Sequence, residues 1–212
     1  MTACIYCGGE GNQSRDHVPP KASFPKPRPS DLITVPSCEK CNRGFQQDDE
    51  YFKAHLGIRA DIEGAPRAET LTEEVLRSWQ RPQSGGFTAA FRDSFATRTI
   101  RAPDHSVIGQ EFGHVALTER INRVLERTVR GLFFHETGTV LPLDYRVRAR
   151  MWEVLPPQDA RSYMALMGGA PLRVIANGAF RYAARIAGDD PFASAWLLQF
   201  YGSATFLGVT AH

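Results

Sequence analysis

Two cysteine pairs, Cys4–Cys7 and Cys38–Cys41, bracket a stretch that contains Asp16-His17-Val18-Pro19, and Asn42 follows the last cysteine. Two thiolates three residues apart grip one side of a tetrahedral ion, and two such pairs close its shell. Cys4, Cys7, Cys38 and Cys41 therefore suit one structural Zn2+, with disulfides as the competing use of the pairs. No basic segment followed by an apolar run opens the chain, so export is not indicated. A reducing, cytoplasmic setting is expected, and there thiol pairs bind metal rather than oxidise. Zinc would also explain how a Pro- and Gly-rich stretch with few large apolar residues folds at all.

The acid, histidine and amide suit a second, open metal site. His17 has an ordinary pKa near neutrality, which fits a general base. Asp16 offers a hard oxygen for Mg2+ or Mn2+, and Asn42 a side-chain oxygen as a second ligand. So few protein ligands leave room for waters and phosphate oxygens. Adjacent residues of an extended segment point to opposite sides, so Asp16 and His17 can meet one phosphate only if a loop bends there. Pro19-Pro20 fits such a bend.

The ordered run Cys4-Ile5-Tyr6-Cys7, Asp16-His17-Val18-Pro19-Pro20 and Asp31-Leu32-Ile33-Thr34-Val35-Pro36-Ser37-Cys38-Glu39-Lys40-Cys41-Asn42 resembles an HNH endonuclease of the zinc-stapled ββα-metal type. The resemblance covers residues 1–56. It implies a metal-dependent endonuclease that hydrolyses DNA phosphodiester bonds, leaving a 5′-phosphate and a 3′-hydroxyl. His17 would be the general base, and Asp16 and Asn42 would hold Mg2+ or Mn2+. RNA shares the phosphate chemistry and stays open as a substrate. Many members carry His where this chain has Asn42. Asp31 stands where the family usually has an Asn that braces the loop bearing the base. An ionised Asp accepts hydrogen bonds but donates none, so that bracing is only partly kept. The rival reading is a non-catalytic zinc module that binds nucleic acid or protein.

Arg43 follows the last ligand candidate and either grips a phosphate or is a solvated helix-start arginine. Asn42 is itself a good N-cap, so it competes for that simpler role. A helix is expected from Asn42 to about Leu56, with Phe45, Phe52 and Leu56 on one stripe. Asp49 shares the Asn42 side, but Asp48-Asp49-Glu50 reads first as a solvated acidic turn.

The remainder, residues 57–212, reads as a helical and antiparallel-sheet domain, making the whole an α+β protein. Its first part is punctuated by Ala65-Pro66, Ser84-Gly85-Gly86 and Ala102-Pro103-Asp104, with one short helix over Thr72–Gln80. The 3.6 period predicts a longer helix over Ala116–Phe134, interrupted late by Gly131. Arg120, Arg123 and Arg127 form its basic side, and Arg146, Arg148 and Arg150 follow. This is the candidate footprint for DNA phosphates, although Glu119–Arg123 and Glu126–Arg130 also suit an ordinary exposed helix. Strands are expected at Leu172–Ala176, Ala179–Ile186, Ala193–Phe200 and Thr205–Thr210, the first two joined at Asn177-Gly178. A net charge of +2 does not by itself argue for nucleic acid, and no apolar run approaches a membrane span. Over residues 1–56 the basic and acidic residues balance, so a zinc with four thiolates would leave that part negative.

Overall fold

The computed structural model describes residues 3–11, 13–101, 104, 106–114, 118–152 and 155–212. The expected turn at Ala102-Pro103 and the expected helix start at Ala116 and Leu117 lie outside the described residues. The fold mixes helices with antiparallel sheet, as the composition of its segments predicts.

An antiparallel hairpin comes first, β1 (Gln13–Val18) on β2 (Ile33–Cys38), with Asp16 opposite Val35 and His17 opposite Thr34. The Asp16-His17 pair thus lies within a strand, where the sequence suggests a bent loop. The ladder to β2 supplies the backbone partners that a loop would lack. β2 runs directly into α1 (Glu39–Gly44). Cys38 is the N-cap, its Sγ accepting from the Cys41 N–H at 3.5 Å. Asn42 is consequently inside the helix and not its cap. The single helix expected from Asn42 to Leu56 is two, because the chain breaks at Phe45 before α2 (Gln46–Gly57). The Phe45 ring stands edge-on to Tyr6 with centroids 5.2 Å apart, which anchors the break.

α3 (Ala68–Trp79) begins one turn before the expected cap at Thr72, whose hydroxyl instead donates back to Ala68 O at 3.2 Å. α4 (Gly85–Arg92) and a second hairpin, β3 (Phe95–Arg101) with β4 (Val107–His114), follow. α5 (Thr118–Thr137) continues through Gly131. Glycine is needed there, because a Cβ would collide with the Val18 side chain. A close approach of helix to hairpin, and not a helix end, explains this residue.

The C-terminal sheet is antiparallel in the order β5-β9-β8-β7-β6. Its strands are β5 (Arg146–Met151), β6 (Arg173–Ile175), β7 (Phe180–Ile186), β8 (Ser194–Phe200) and β9 (Ala204–Ala211). The four strands expected after residue 170 are all present. β5 is not among the expected strands, although Val147 and Ala149 are buried and alternate with exposed Arg146, Arg148 and Arg150. The Asn177-Gly178 connection is a short 3-10 turn over Ala176–Gly178 with left-handed backbone at all three residues. α5 covers one sheet face, where a Cβ on Gly208 would lie 2.8 Å from Val129. α6 (Pro157–Met167) covers part of the other. There the Tyr163 hydroxyl lies 2.7 Å from Trp196 O and 2.8 Å from Gly208 O, and accepts from the Trp196 N–H at 2.9 Å.

One core joins all of this. It includes Ile5, Val18 and Phe52 together with Leu125, Phe200 and Phe206, so packing is continuous across residue 56. The Phe52 ring meets Phe200 and Phe206 with centroids 5.2 and 5.7 Å away. Among the described residues no helix is long and apolar enough to cross a membrane.

Candidate functional site

The ligand atoms of Cys4, Cys7, Cys38 and Cys41 all lie within 4.8 Å of one another. Sγ of Cys7 and Sγ of Cys38 are 3.8 Å apart. Metal–sulfur bonds of about 2.3 Å in a tetrahedron require sulfur–sulfur edges of roughly that length. The four cysteines can therefore hold a metal such as zinc. Both knuckles are placed by local structure: the Gly8 N–H donates to Cys4 O at 2.8 Å, and the second knuckle is the start of α1. Burial opposes the Cys4 thiolate, yet backbone hydrogen bonds from Cys38, Tyr6 and Cys7 bring its pKa down to about 7. Burial and the neighbouring sulfurs push Cys41 up. A bound cation would hold both as thiolates.

Strand alternation sorts the residues between the knuckles. Ser14, Asp16 and Val18 face one way, and Arg15 and His17 the other. Asp16 is 5% exposed. The Tyr6 hydroxyl donates to its Oδ2 at 2.8 Å, and Nε of Arg127 lies 3.4 Å from the same atom. Both contacts fall on Oδ2; among the described residues no hydrogen bond falls on Oδ1. Asn42 reaches β1 from α1, its Nδ2 donating to Ser14 Oγ at 2.7 Å and to Arg15 O at 3.2 Å. That leaves Oδ1 as the uncommitted end of its amide. His17 is half-buried; burial first, then the charge of Lys21, holds its pKa below the usual value, against the pull of Asp16. That shift favours the neutral imidazole, the form that can accept a proton.

The arginine side of α5 is not an open phosphate stripe. Arg127 is buried, 4% exposed, with its guanidinium 4.4 Å from the centre of the Phe45 ring and Nη2 2.5 Å from Asp49 Oδ1. Arg123 makes a two-pronged bond to Asp48, at 2.7 and 2.9 Å. Arg120 lies 3.9 Å from Asp48 and over the Tyr51 ring. Asp48 and Asp49 are correspondingly half-buried and dock α5, while Glu50 is exposed. Burial raises the Asp49 carboxyl to about 6 in spite of Arg127. Asp31 accepts at 3.4 Å from the Asn177 N–H, a tie from the hairpin connection to the turn before β7, and among the described residues no hydrogen bond joins it to the strand bearing His17. Arg43 is exposed and lies 3.4 Å from Glu39 one turn earlier.

Two features escape sequence reasoning. Tyr6 and Arg127 as partners of Asp16 are one; the only local hint is that Asp48 and Asp49 could match arginines four apart on another helix. Arg15 is the other. It sits at i−2 from His17 and is bonded to Thr34 through both Nε and Nη2. The i, i+2 spacing was a usable signal once the segment is read as a strand. A cavity of about 670 Å3 between α2, α3 and α4, lined by Tyr51, Trp79, Phe87 and Phe91, shares only Arg120 with these residues.

No family model, curated protein or solved structure matches the chain.

Proposed function

We propose that this chain is a metal-dependent endonuclease of the HNH type. In this reading residues 1–56 form a ββα-metal module whose structural Zn2+ sits on the four cysteines. Asp16 and Asn42 hold a divalent Mg2+ or Mn2+, and His17 is the general base. DNA is the substrate, with RNA sharing the same phosphate chemistry. The observation that carries the reading is one strand bearing, at consecutive positions, a buried carboxylate and a half-buried histidine whose pKa is lowered, with the Asn42 amide bonded to the same strand. Asp16 and His17 leave opposite sides of β1.

When bound, the divalent ion would stabilise the charge on the phosphoryl oxygens and on the leaving oxygen. The protein does the rest. His17 takes a proton from a water whose oxygen bonds to phosphorus as the P–O3′ bond breaks. The departing O3′ takes a proton from solvent, and the imidazolium returns its own, giving 5′-phosphate and 3′-hydroxyl ends. Arg127 and Tyr6 keep the Asp16 carboxylate in one orientation.

The second reading is the non-catalytic zinc module. The burial of Asp16 and its ion pair with Arg127 favour it, because that carboxylate already has a structural role. Incubating the purified chain with plasmid, single-stranded DNA and RNA in Mg2+ or Mn2+ separates the two. The endonuclease should cut at least one of them, and His17→Ala should lose about a hundredfold or more in rate with unchanged thermal unfolding. Undiminished cutting by that variant would remove His17 from the mechanism. No cutting of any substrate by the wild type would leave the binding module.

A further inference from the structure

Arg15 and His17 leave the same face of β1, two residues and about 6.8 Å apart along the strand. The Arg15 side chain does not trail into solvent. Its Nε donates to Thr34 Oγ1 at 2.9 Å, and its Nη2 lies 2.7 Å from the same oxygen and donates to Thr34 O at 3.0 Å. Thr34 is the residue paired with His17 across the hairpin. The guanidinium is therefore folded along the strand and fixed beside the imidazole. A guanidinium has five N–H donors, and the two on Nη1 are not used in these bonds.

Like Arg67 and Arg130, Arg15 is held by oxygens other than a carboxylate's, and in this it differs from three arginines around the site. Arg43, Arg123 and Arg127 each meet a carboxylate, which neutralises them. Arg15 is held by a hydroxyl and a carbonyl, and among the described residues no carboxylate pairs with it. Its full positive charge is kept while much of its rotamer freedom is already lost, so an incoming anion meets a preorganised fork. Lys21 is exposed and close enough that its charge acts on His17. Two cations beside the imidazole, with Asp16 on the opposite face of the strand, suit a phosphodiester.

We propose that Arg15, pinned by Thr34, is a phosphate-binding residue. Its Nη1 edge takes a non-bridging oxygen of the nucleic-acid phosphodiester presented to His17, with Lys21 adding charge at the rim. This deepens the endonuclease reading and rests on it for the identity of the anion. Arg15 lies outside the metal ligand set, and its bonds to Thr34 would exist in a purely structural role as well, so the test needs a readout that cross-strand bonding alone would not move.

The zinc-loaded full chain and its Arg15→Ala, Arg15→Lys and Thr34→Val variants are compared in two assays. One is cleavage of duplex DNA in Mn2+ at saturating substrate. The other is binding of a fluorescein-labelled duplex by anisotropy across a salt series without added Mg2+ or Mn2+. Arg15→Ala should lose about a hundredfold in rate, the usual loss for one preorganised donor to a developing anion. It should also lower the slope of log affinity against log salt by about 0.9. Arg15→Lys should restore the salt slope but not the rate, because one ammonium cannot serve Thr34 and the phosphate together. Thr34→Val should keep the slope and lose roughly tenfold in rate, through poorer orientation. A rate within twofold of wild type together with an unchanged slope for Arg15→Ala overturns the proposal. Should the wild type bind but not cut, the endonuclease reading falls alone: a slope lowered in Arg15→Ala keeps the phosphate site, and an unchanged slope ends it. A wild type that neither cuts nor binds nucleic acid overturns both.

Discussion

Arg127 carries an unusual burden for one side chain. It is buried, it meets Asp16 and Asp49, and its face lies on the Phe45 ring. Removing it would leave two carboxylates in a low-dielectric site without their cation. Arg127→Ala should therefore destabilise the fold by about 3–5 kcal/mol in a urea titration, the range for breaking a buried pair from one side. Arg123 is half exposed, and Arg123→Ala should cost about 1 kcal/mol or less in the same titration. Equal costs would mean that burial does not distinguish the two arginines. The contrast also bears on DNA binding, since a triple change at Arg120, Arg123 and Arg127 would weaken binding through loss of structure as much as through loss of charge.

At the scale of elements, the hairpin, α2 and α3 meet through Glu74. Its carboxylate accepts from the Lys26 N–H at 2.6 Å and from Lys53 Nζ at 2.9 Å. Burial works against the charged form, but these two bonds win and hold its pKa below 4.5. A carboxyl depressed in the fold stabilises it above the unfolded pKa, and that contribution disappears as pH falls through the folded value. Glu74→Gln should thus lower the melting temperature near neutrality, and the gap from wild type should close below about pH 4.5. A gap that stays constant from pH 7 to pH 3 would contradict the assignment. α5 supplies a second case. Gly131→Ala would push a methyl into Val18, so a loss of about 1–3 kcal/mol is expected, whereas alanine at an open exposed helical glycine stabilises. Denaturation midpoints of Gly131→Ala and of Val18→Ala/Gly131→Ala together decide this, since trimming Val18 should recover part of the loss.

For the whole molecule, one core spans the cysteine-rich hairpin and the C-terminal sheet. Stripping metal from the four cysteines, or changing Cys38 to Ser, should therefore not unfold the first 56 residues alone. Elemental analysis should find about one zinc per chain, and its removal should shift a single cooperative transition. With Trp79 and Trp152 changed to Phe, Trp196, fully buried in β8, reports the far end of the core by its fluorescence. If Trp196 keeps its native emission while the cysteine region unfolds, the two parts are separate folding units.

Much of this was legible in the residues themselves. Cysteine spacing of three predicts two knuckles because a metal shell constrains neighbours in the chain. Period-2 alternation predicts β7 and the 3.6 period predicts α5, because each pattern needs only one buried side. What spacing cannot carry is the partner across the fold. Asp16 meets Tyr6 and Arg127, Asp48 and Asp49 meet α5, and Asp31 meets Asn177. The partners on α5 and at Asn177 lie more than seventy residues away along the chain. The same arginines read as a DNA footprint while their helix is considered alone, and become internal ties once α2 is docked beside it. Local periodicity follows from which face a single element buries. Charge pairing follows from which two elements the common core brings together, and that was decided only by the tertiary structure.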